Sequence, residues 1–291
     1  MWTLNVASPG RLSVIAAALL SGLLFLAGCG GSSADESMSI AGSTTVLPVV
    51  SRAAEVYRQG HPNAEITVNA GGSGTGINLL GRGQIEIGMS SRKMTPEERQ
   101  EYPAVDFTVH AIGVDGVIPV VSSEIYSAGI SEISREQVAQ IYRGEITNWK
   151  ELGGPNRKIY AVDKEQSRGT RHVFMEYVMG DPQPDAPGAD VTLGANNEEQ
   201  TAIAQSDSAI GLLSHAWLNE KVRGLALILE NGEPVQPTLE NIRTDRWPIS
   251  RKLRLYTDGR PEGLSKSFIS FVMSDRGQEI VRKAGYVRIS E

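Results

Sequence analysis

Four loops of this chain gather small hydroxyl residues and glycine: Ser43-Thr44-Thr45, Gly72-Ser73-Gly74-Thr75-Gly76, Ser90-Ser91-Arg92 and Ser167-Arg168-Gly169-Thr170-Arg171. Hydroxyls donate hydrogen bonds, glycine lets backbone approach a ligand closely, and the free N–H groups of a helix start favour negative charge. The chemistry these residues suit is capture of a small anion. A hydrogen bond to a charged partner contributes about 1.5–3 kcal/mol, so donors that nearly surround an anion can offset the cost of drying it. Any single such loop is equally an ordinary N-cap or turn. Four of them, each where a strand should meet a helix, point to a site.

The motifs of an enzyme break when tested. Gly-x-Ser-x-Gly fails at Thr75, and the same loop lacks the lysine and spacing of a phosphate-binding P-loop. His61, His110, His172 and His215 have no metal-ligand spacing, and the chain has one cysteine. A non-enzymatic binding protein without metal or cofactor is expected. An exported phosphate-ester hydrolase is a rival that would need a nucleophile–base pair or a metal cluster.

The loops must be positioned by alternating strands and helices. A strand at 39–42 runs into the first loop, and residues 46–57 have helical apolar spacing with Pro48 near the start. A strand at 66–70 enters the glycine-rich loop, and a strand at 85–89 ends in Ser90-Ser91-Arg92. Thr95-Pro96-Glu97-Glu98 reads as a helix start. Further strands are expected at 113–122, 209–213, 225–229 and 253–256, helices at 134–142 and 265–273, and a proline-rich loop at 181–188. Such alternation predicts an α/β fold with largely parallel sheets, whose ligands sit where strand C-termini meet helix N-termini.

With 291 residues, 40% hydrophobic and 31 glycines, the chain suits two modest α/β domains. Arg11 precedes an apolar run over 12–26, and Leu26-Ala27-Gly28-Cys29 follows. That run is short for a membrane span and reads as a secretory signal. The junction resembles the lipobox of bacterial lipoproteins, so a signal peptide over 1–28, lipidation at Cys29 and a flexible tether over 29–37 are expected. The formal charge of −6 becomes −7 without the leader, which carries Arg11 and no acid. That balance argues against nucleic-acid binding, which needs a basic footprint. It leaves a small anion possible, because local N–H groups hold such ligands.

Five ordered motifs resemble the phosphate-binding proteins of the phosphate-specific ABC transporter, a type II periplasmic-binding-protein fold: Ala41-Gly42-Ser43-Thr44-Thr45-Val46, Gly72-Ser73-Gly74-Thr75-Gly76, Ile87-Gly88-Met89-Ser90-Ser91-Arg92, Gly144-Glu145-Ile146-Thr147-Asn148-Trp149 and Ser167-Arg168-Gly169-Thr170-Arg171. The resemblance implies two lobes joined by two hinge-crossing strands, lobe I over 38–112 and 249–291 and lobe II over 113–248. It implies that Thr44, Thr45, Ser73 and Ser91 bind the anion from lobe I, and Gly169 and Thr170 from lobe II, with Arg92, Ser167 and Arg171 as further contacts and Ser43 as a turn residue. It also implies a lipid-anchored monomer facing the periplasm or cell exterior that hands phosphate to membrane permease subunits.

Two departures bear on the ligand. Many members carry Asp where Ser91 stands, a carboxylate that accepts the proton of hydrogen phosphate; Asp115, Asp163 and Glu165 are unranked replacements. Lys164-Glu165-Gln166-Ser167-Arg168-Gly169-Thr170 stands where members often have Arg-x-x-Gly-Ser-Gly-Thr, and a lysine does not reproduce a planar guanidinium. Arg168 is a candidate substitute. Sulfate, molybdate or tungstate capture on the same fold is therefore an alternative, as is a sensory or adhesion module that has lost transport.

Overall fold

The computed structural model describes residues 36–289, so the apolar leader, Cys29 and most of the expected tether lie outside the described residues. The first strand already includes Glu36 and Ser37, paired with Ala64 and Glu65.

The chain opens β1 (Glu36–Gly42), α1 (Leu47–Gly60), β2 (Ala64–Ala70), α2 (Ser73–Gly81), β3 (Ile87–Ser90) and α3 (Pro96–Glu101). A long strand, β4 (Phe107–Ser122), leads to α4 (Ser123–Ser127), β5 (Glu132–Ser134), α5 (Arg135–Arg143), β6 (Tyr160–Lys164), α6 (Gly169–Met179), β7 (Val191–Leu193), α7 (Asn196–Gln205) and β8 (Ala209–Ser214). Then come β9 (Val222–Gly224), β10 (Ala226–Ile228), β11 (Pro234–Val235), α8 (Leu239–Arg243), β12 (Ser250–Asp258), α9 (Gly263–Met273) and α10 (Asp275–Lys283). Residues 181–188 form no helix or strand, as their prolines predict. Among the described residues no helix is long and apolar enough to cross a membrane.

Nine strands form one sheet in the order β2-β1-β3-β12-β4-β8-β6-β7, with β9 also on β4. β1 pairs in parallel with β2 and β3, and β6 with β7 and β8. The centre is antiparallel: β12 lies between β3 and β4, and β4 continues onto β8. β4 is long enough to serve both halves, because its first part pairs with β12 and its second with β8 and β9.

Burial separates two main apolar cores along that sheet. One gathers Ile40, Val50, Ile87, Ile112, Leu253, Leu255 and Phe268. The other gathers Val117, Ile133, Tyr142, Trp149, Phe174, Leu213 and Trp247. The chain passes between them at residues 112–117 in β4, and again between Ile249 and Leu253 in β12.

Within the first core, α2 sits almost in contact with the strands beneath it. A Cβ on Gly76 would lie 2.8 Å from the carbonyl oxygens of Ala41 and Met89, and one on Gly88 would lie 2.8 Å from the carbonyl oxygen of Gly76. This closeness sets the start of α2 over the ends of β1 and β3. Replacing Gly76 by Ala should therefore lower stability by about 1–3 kcal/mol through overpacking. The expected readout is a lower urea midpoint with an unchanged m-value; an unchanged midpoint would show that the helix can shift freely.

Candidate functional site

Hydroxyls in the four loops are not spent on capping. α3, α5, α8 and α10 start on side-chain caps from Thr95, Ser134, Thr238 and Ser274. α1, α2 and α6, which follow three of the loops, have no side-chain cap. The first turn of α1 is closed by backbone carbonyls, with Leu47 N–H on Ser43 and Val49 N–H on Val46, so the starts of α2 and α6 are the ones that can offer N–H groups to another partner.

The loops of the two cores meet face to face. Thr45 Oγ1 lies 3.3 Å from Thr170 Oγ1, and Ser73 Oγ lies 3.4 Å from Ser91 Oγ. Gly169 fits only because it has no side chain: a Cβ there would approach Ser73 Oγ to 2.3 Å and Ser91 Oγ to 2.6 Å. Gly74 N–H donates to the Ser167 carbonyl at 3.2 Å, a further link across the gap. Thr44, Thr45, Ser73, Ser91 and Thr170 are all buried. Ser43 Oγ accepts from Thr45 N–H at 3.2 Å, as a turn residue does.

A cation that the motifs did not reveal stands at this meeting point. Arg251, on β12, donates from Nη2 to Thr45 Oγ1 at 3.2 Å and to Thr170 Oγ1 at 3.1 Å. Its Nε and Nη2 also donate to Asp115 Oδ2 at 3.0 and 2.8 Å, and Ser214 Oγ donates to Asp115 Oδ1 at 2.8 Å. The side chains of Arg251 and Asp115 are 2% and 0% exposed, so the ion pair is fully dried. Arg251 Nη1 is buried with no hydrogen-bond partner. A buried guanidinium nitrogen left in that state is costly, and it marks a place where an anion would be held strongly.

Two further groups fix Thr45. Asn196, the first residue of α7, donates from Nδ2 to Thr45 Oγ1 at 3.1 Å. Tyr286 Oη donates to the Thr45 carbonyl at 2.7 Å, and burial holds that phenol well above its ordinary pKa, so it stays a donor.

The other predicted cations are placed elsewhere. Arg92 forms a bidentate pair with Glu98 at 2.7 and 2.5 Å. Arg171 donates from Nε to both oxygens of Asp163 at 3.0 Å and from Nη2 to the Pro184 carbonyl, which anchors the proline-rich loop. Lys164 is buried in an ion pair with Glu199, whose other oxygen accepts from Leu212 N–H at 2.6 Å. Burial raises the Glu199 carboxyl above its usual range while Lys164 pulls it down. Arg168 donates to Glu165 at 2.8 and 2.5 Å and lies over Gly72. Of the unranked acidic residues, Asp115 alone is joined to the hydroxyl cluster, through Arg251. Beside the cluster lies a cavity of ≈490 Å³ whose lining includes Arg92, His172, Ser250, Arg251 and Arg254. His172 is held below its ordinary pKa by burial and by Arg92 nearby, so its ring is neutral at pH 7.

The arrangement can surround a small anion with hydroxyls, helix-start N–H groups and one guanidinium nitrogen. Comparison with known proteins agrees with that reading. A family profile described as a PBP superfamily domain matches residues 28–276. The phosphate-binding protein PstS of Bacillus subtilis (strain 168) is 34% identical over 264 residues, covering 90% of this chain and 84% of the relative. The chain belongs to the PstS family of phosphate-binding proteins. Among solved structures, a substrate-binding protein from Clostridium perfringens, assigned to phosphate ABC transport and holding bound phosphate, superposes with a TM-score of 0.78 at 30% identity, covering 87% of this chain and 100% of that one. An ABC-type phosphate transport receptor from Vibrio cholerae gives 0.69 at 29% identity, covering 86% and 99%.

In this PstS-family chain, Arg251 and Asn196 escaped the motif reading because they lie on β12 and α7, away from every motif, whereas Asp115 is one of the acids the sequence offers without rank. One signal was present: Arg251 shares the inward face of β12 with Leu253 and Leu255, a position where a lone charge needs a partner. Removing one member of the dried pair leaves the other uncompensated. Asp115→Ala should lower stability by about 3–5 kcal/mol, and a double Asp115→Leu, Arg251→Met variant should recover most of that loss. Chemical denaturation checks both. A single variant as stable as wild type would show that the pair is not dry.

Proposed function

We propose that this chain is the solute-binding component of an ABC importer, capturing inorganic phosphate reversibly between two lobes. The observation that carries this reading is Arg251, whose Nη2 joins Thr45 to Thr170 while its Nη1 is buried without a partner. The PstS-family relatives, by name phosphate-binding proteins, supply the ligand.

In this reading lobe I is 38–112 with 249–291, lobe II is 113–248, and β4 and β12 are the hinge strands between the two cores. Thr44, Thr45, Ser73 and Ser91 act from one lobe and Gly169 and Thr170 from the other, so ligand favours closure by binding both at once. Arg251 acts from the hinge itself, which couples the bound charge directly to the strand that must flex. Arg92, Ser167 and Arg171 then support the site: Arg92 braces the turn after Ser91, the Ser167 carbonyl receives Gly74, and Arg171 holds α6 to β6. No bond is made or broken. The N-terminal signal and Cys29 would anchor the protein by lipid on the outer side of a bacterial membrane, and the closed form would dock as a monomer on permease subunits.

Thr170→Val removes a hydroxyl that Arg251 orients, with little change in shape. Isothermal titration should show phosphate affinity about tenfold to a hundredfold weaker, with the circular dichroism spectrum and melting temperature of wild type. Unchanged affinity would remove Thr170 from the site.

A further inference from the structure

A hydroxyl has one proton to donate and two lone pairs to accept with. In the cluster these lone pairs are not filled equally. Thr45 Oγ1 receives N–H groups from Asn196 and Arg251. Thr170 Oγ1 receives Arg251 Nη2. Ser73 Oγ receives the Ser91 backbone N–H at 3.1 Å. Thr45, with both lone pairs filled, can donate to Thr170 Oγ1 at 3.3 Å, which leaves the protons of Thr170 and Ser73 to be donated toward a ligand. Ser91 Oγ is different: its hydrogen-bond contact is with Ser73 Oγ, and no N–H donates into it among the described residues.

The carboxylates that could accept a ligand's proton are engaged by other donors. Asp115 receives Arg251 and Ser214. Asp163 receives Arg171 and Lys164 N–H, Glu165 receives Arg168, and Glu98 receives Arg92 and Thr95 N–H. Hydrogen phosphate, however, carries a proton that must find an acceptor once water is excluded.

We infer that Ser91 Oγ is the acceptor for the proton of hydrogen phosphate, which makes Ser91 the residue that distinguishes a protonated tetrahedral dianion from a proton-free one. The inference rests on the phosphate-capture reading. It assigns the discrimination to a neutral hydroxyl into which no N–H donates among the described residues, in preference to Asp115, Asp163 and Glu165, whose oxygens already receive other donors. A hydroxyl is a weaker acceptor than a carboxylate, so the selectivity it gives is finite.

The test compares phosphate with monofluorophosphate, a tetrahedral dianion of similar size in which fluorine replaces the hydroxyl and no proton is offered. Affinities are measured by isothermal titration of the full chain, with sulfate as a second proton-free probe. Wild type should prefer phosphate, and Ser91→Ala should narrow the preference by about tenfold or more. Ser73→Ala, which deletes a hydroxyl turned to donate, should weaken phosphate and monofluorophosphate by similar factors. Equal binding of the two dianions by wild type, or an equal loss of both in Ser91→Ala, would overturn the inference while leaving phosphate capture intact. Failure of wild type to bind phosphate at all would overturn the capture reading itself.

Discussion

A single guanidinium, that of Arg251, organises this molecule's centre. It is dried against Asp115 on the neighbouring strand, yet it spends only two of its nitrogens there and on the hydroxyls of Thr45 and Thr170. Those two threonines come from opposite cores, so the arginine touches both sides of the gap from the strand that joins them. Because a buried charge must be paired or hydrogen-bonded, the positions of Asp115, Thr45, Thr170 and Ser214 are tied to one another. Asn196 and Tyr286 extend that network to α7 and to the segment after α10.

This arrangement explains how an acidic protein can hold an anion. Net charge acts over the whole surface, where salt screens it within about 10 Å. The site acts over hydrogen-bond distances among buried groups, with the starts of α2 and α6 free of side-chain caps and one nitrogen of Arg251 free of partners. Close packing of Gly76 and Gly88 brings the start of α2 to the strand ends, and the bare α-carbon of Gly169 lets α6 approach Ser73 and Ser91. Small residues in these loops thus serve geometry as much as flexibility.

The hydroxyl loops were legible in the sequence because Gly, Ser and Thr at a strand–helix junction have a local meaning. The same holds for the α3 start, where Thr95, Pro96 and Glu98 form the capping box the sequence announces. Strand β4 was read from 113 but begins at Phe107, since Thr108 and His110 interrupt its apolar run on a half-exposed edge. Helix α7 has no signal in the sequence reading: Asn-Asn-Glu-Glu-Gln has little amphipathic pattern, and two of its three buried members are polar, Asn196 and Glu199, held by Thr45 and Lys164, with Ile203 as the third. Cations were the hardest to assign. Arg92 and Arg171 adjoin Ser91 and Thr170 in sequence, but a neighbouring side chain on a helix start or turn points elsewhere, and each finds a carboxylate within eight residues. Arg251 is distant from every motif and reaches the site only through the sheet order, which places β12 between β3 and β4.

The most direct measurement is a crystal structure of the protein grown with phosphate. The account predicts one tetrahedral anion with an oxygen within hydrogen-bond distance of Arg251 Nη1, and the others on Thr45, Ser73 and Thr170 and the first N–H groups of α2 and α6. An anion bound instead in the adjoining cavity against Arg92, Arg254 and His172, with Arg251 Nη1 still without a partner, would contradict it.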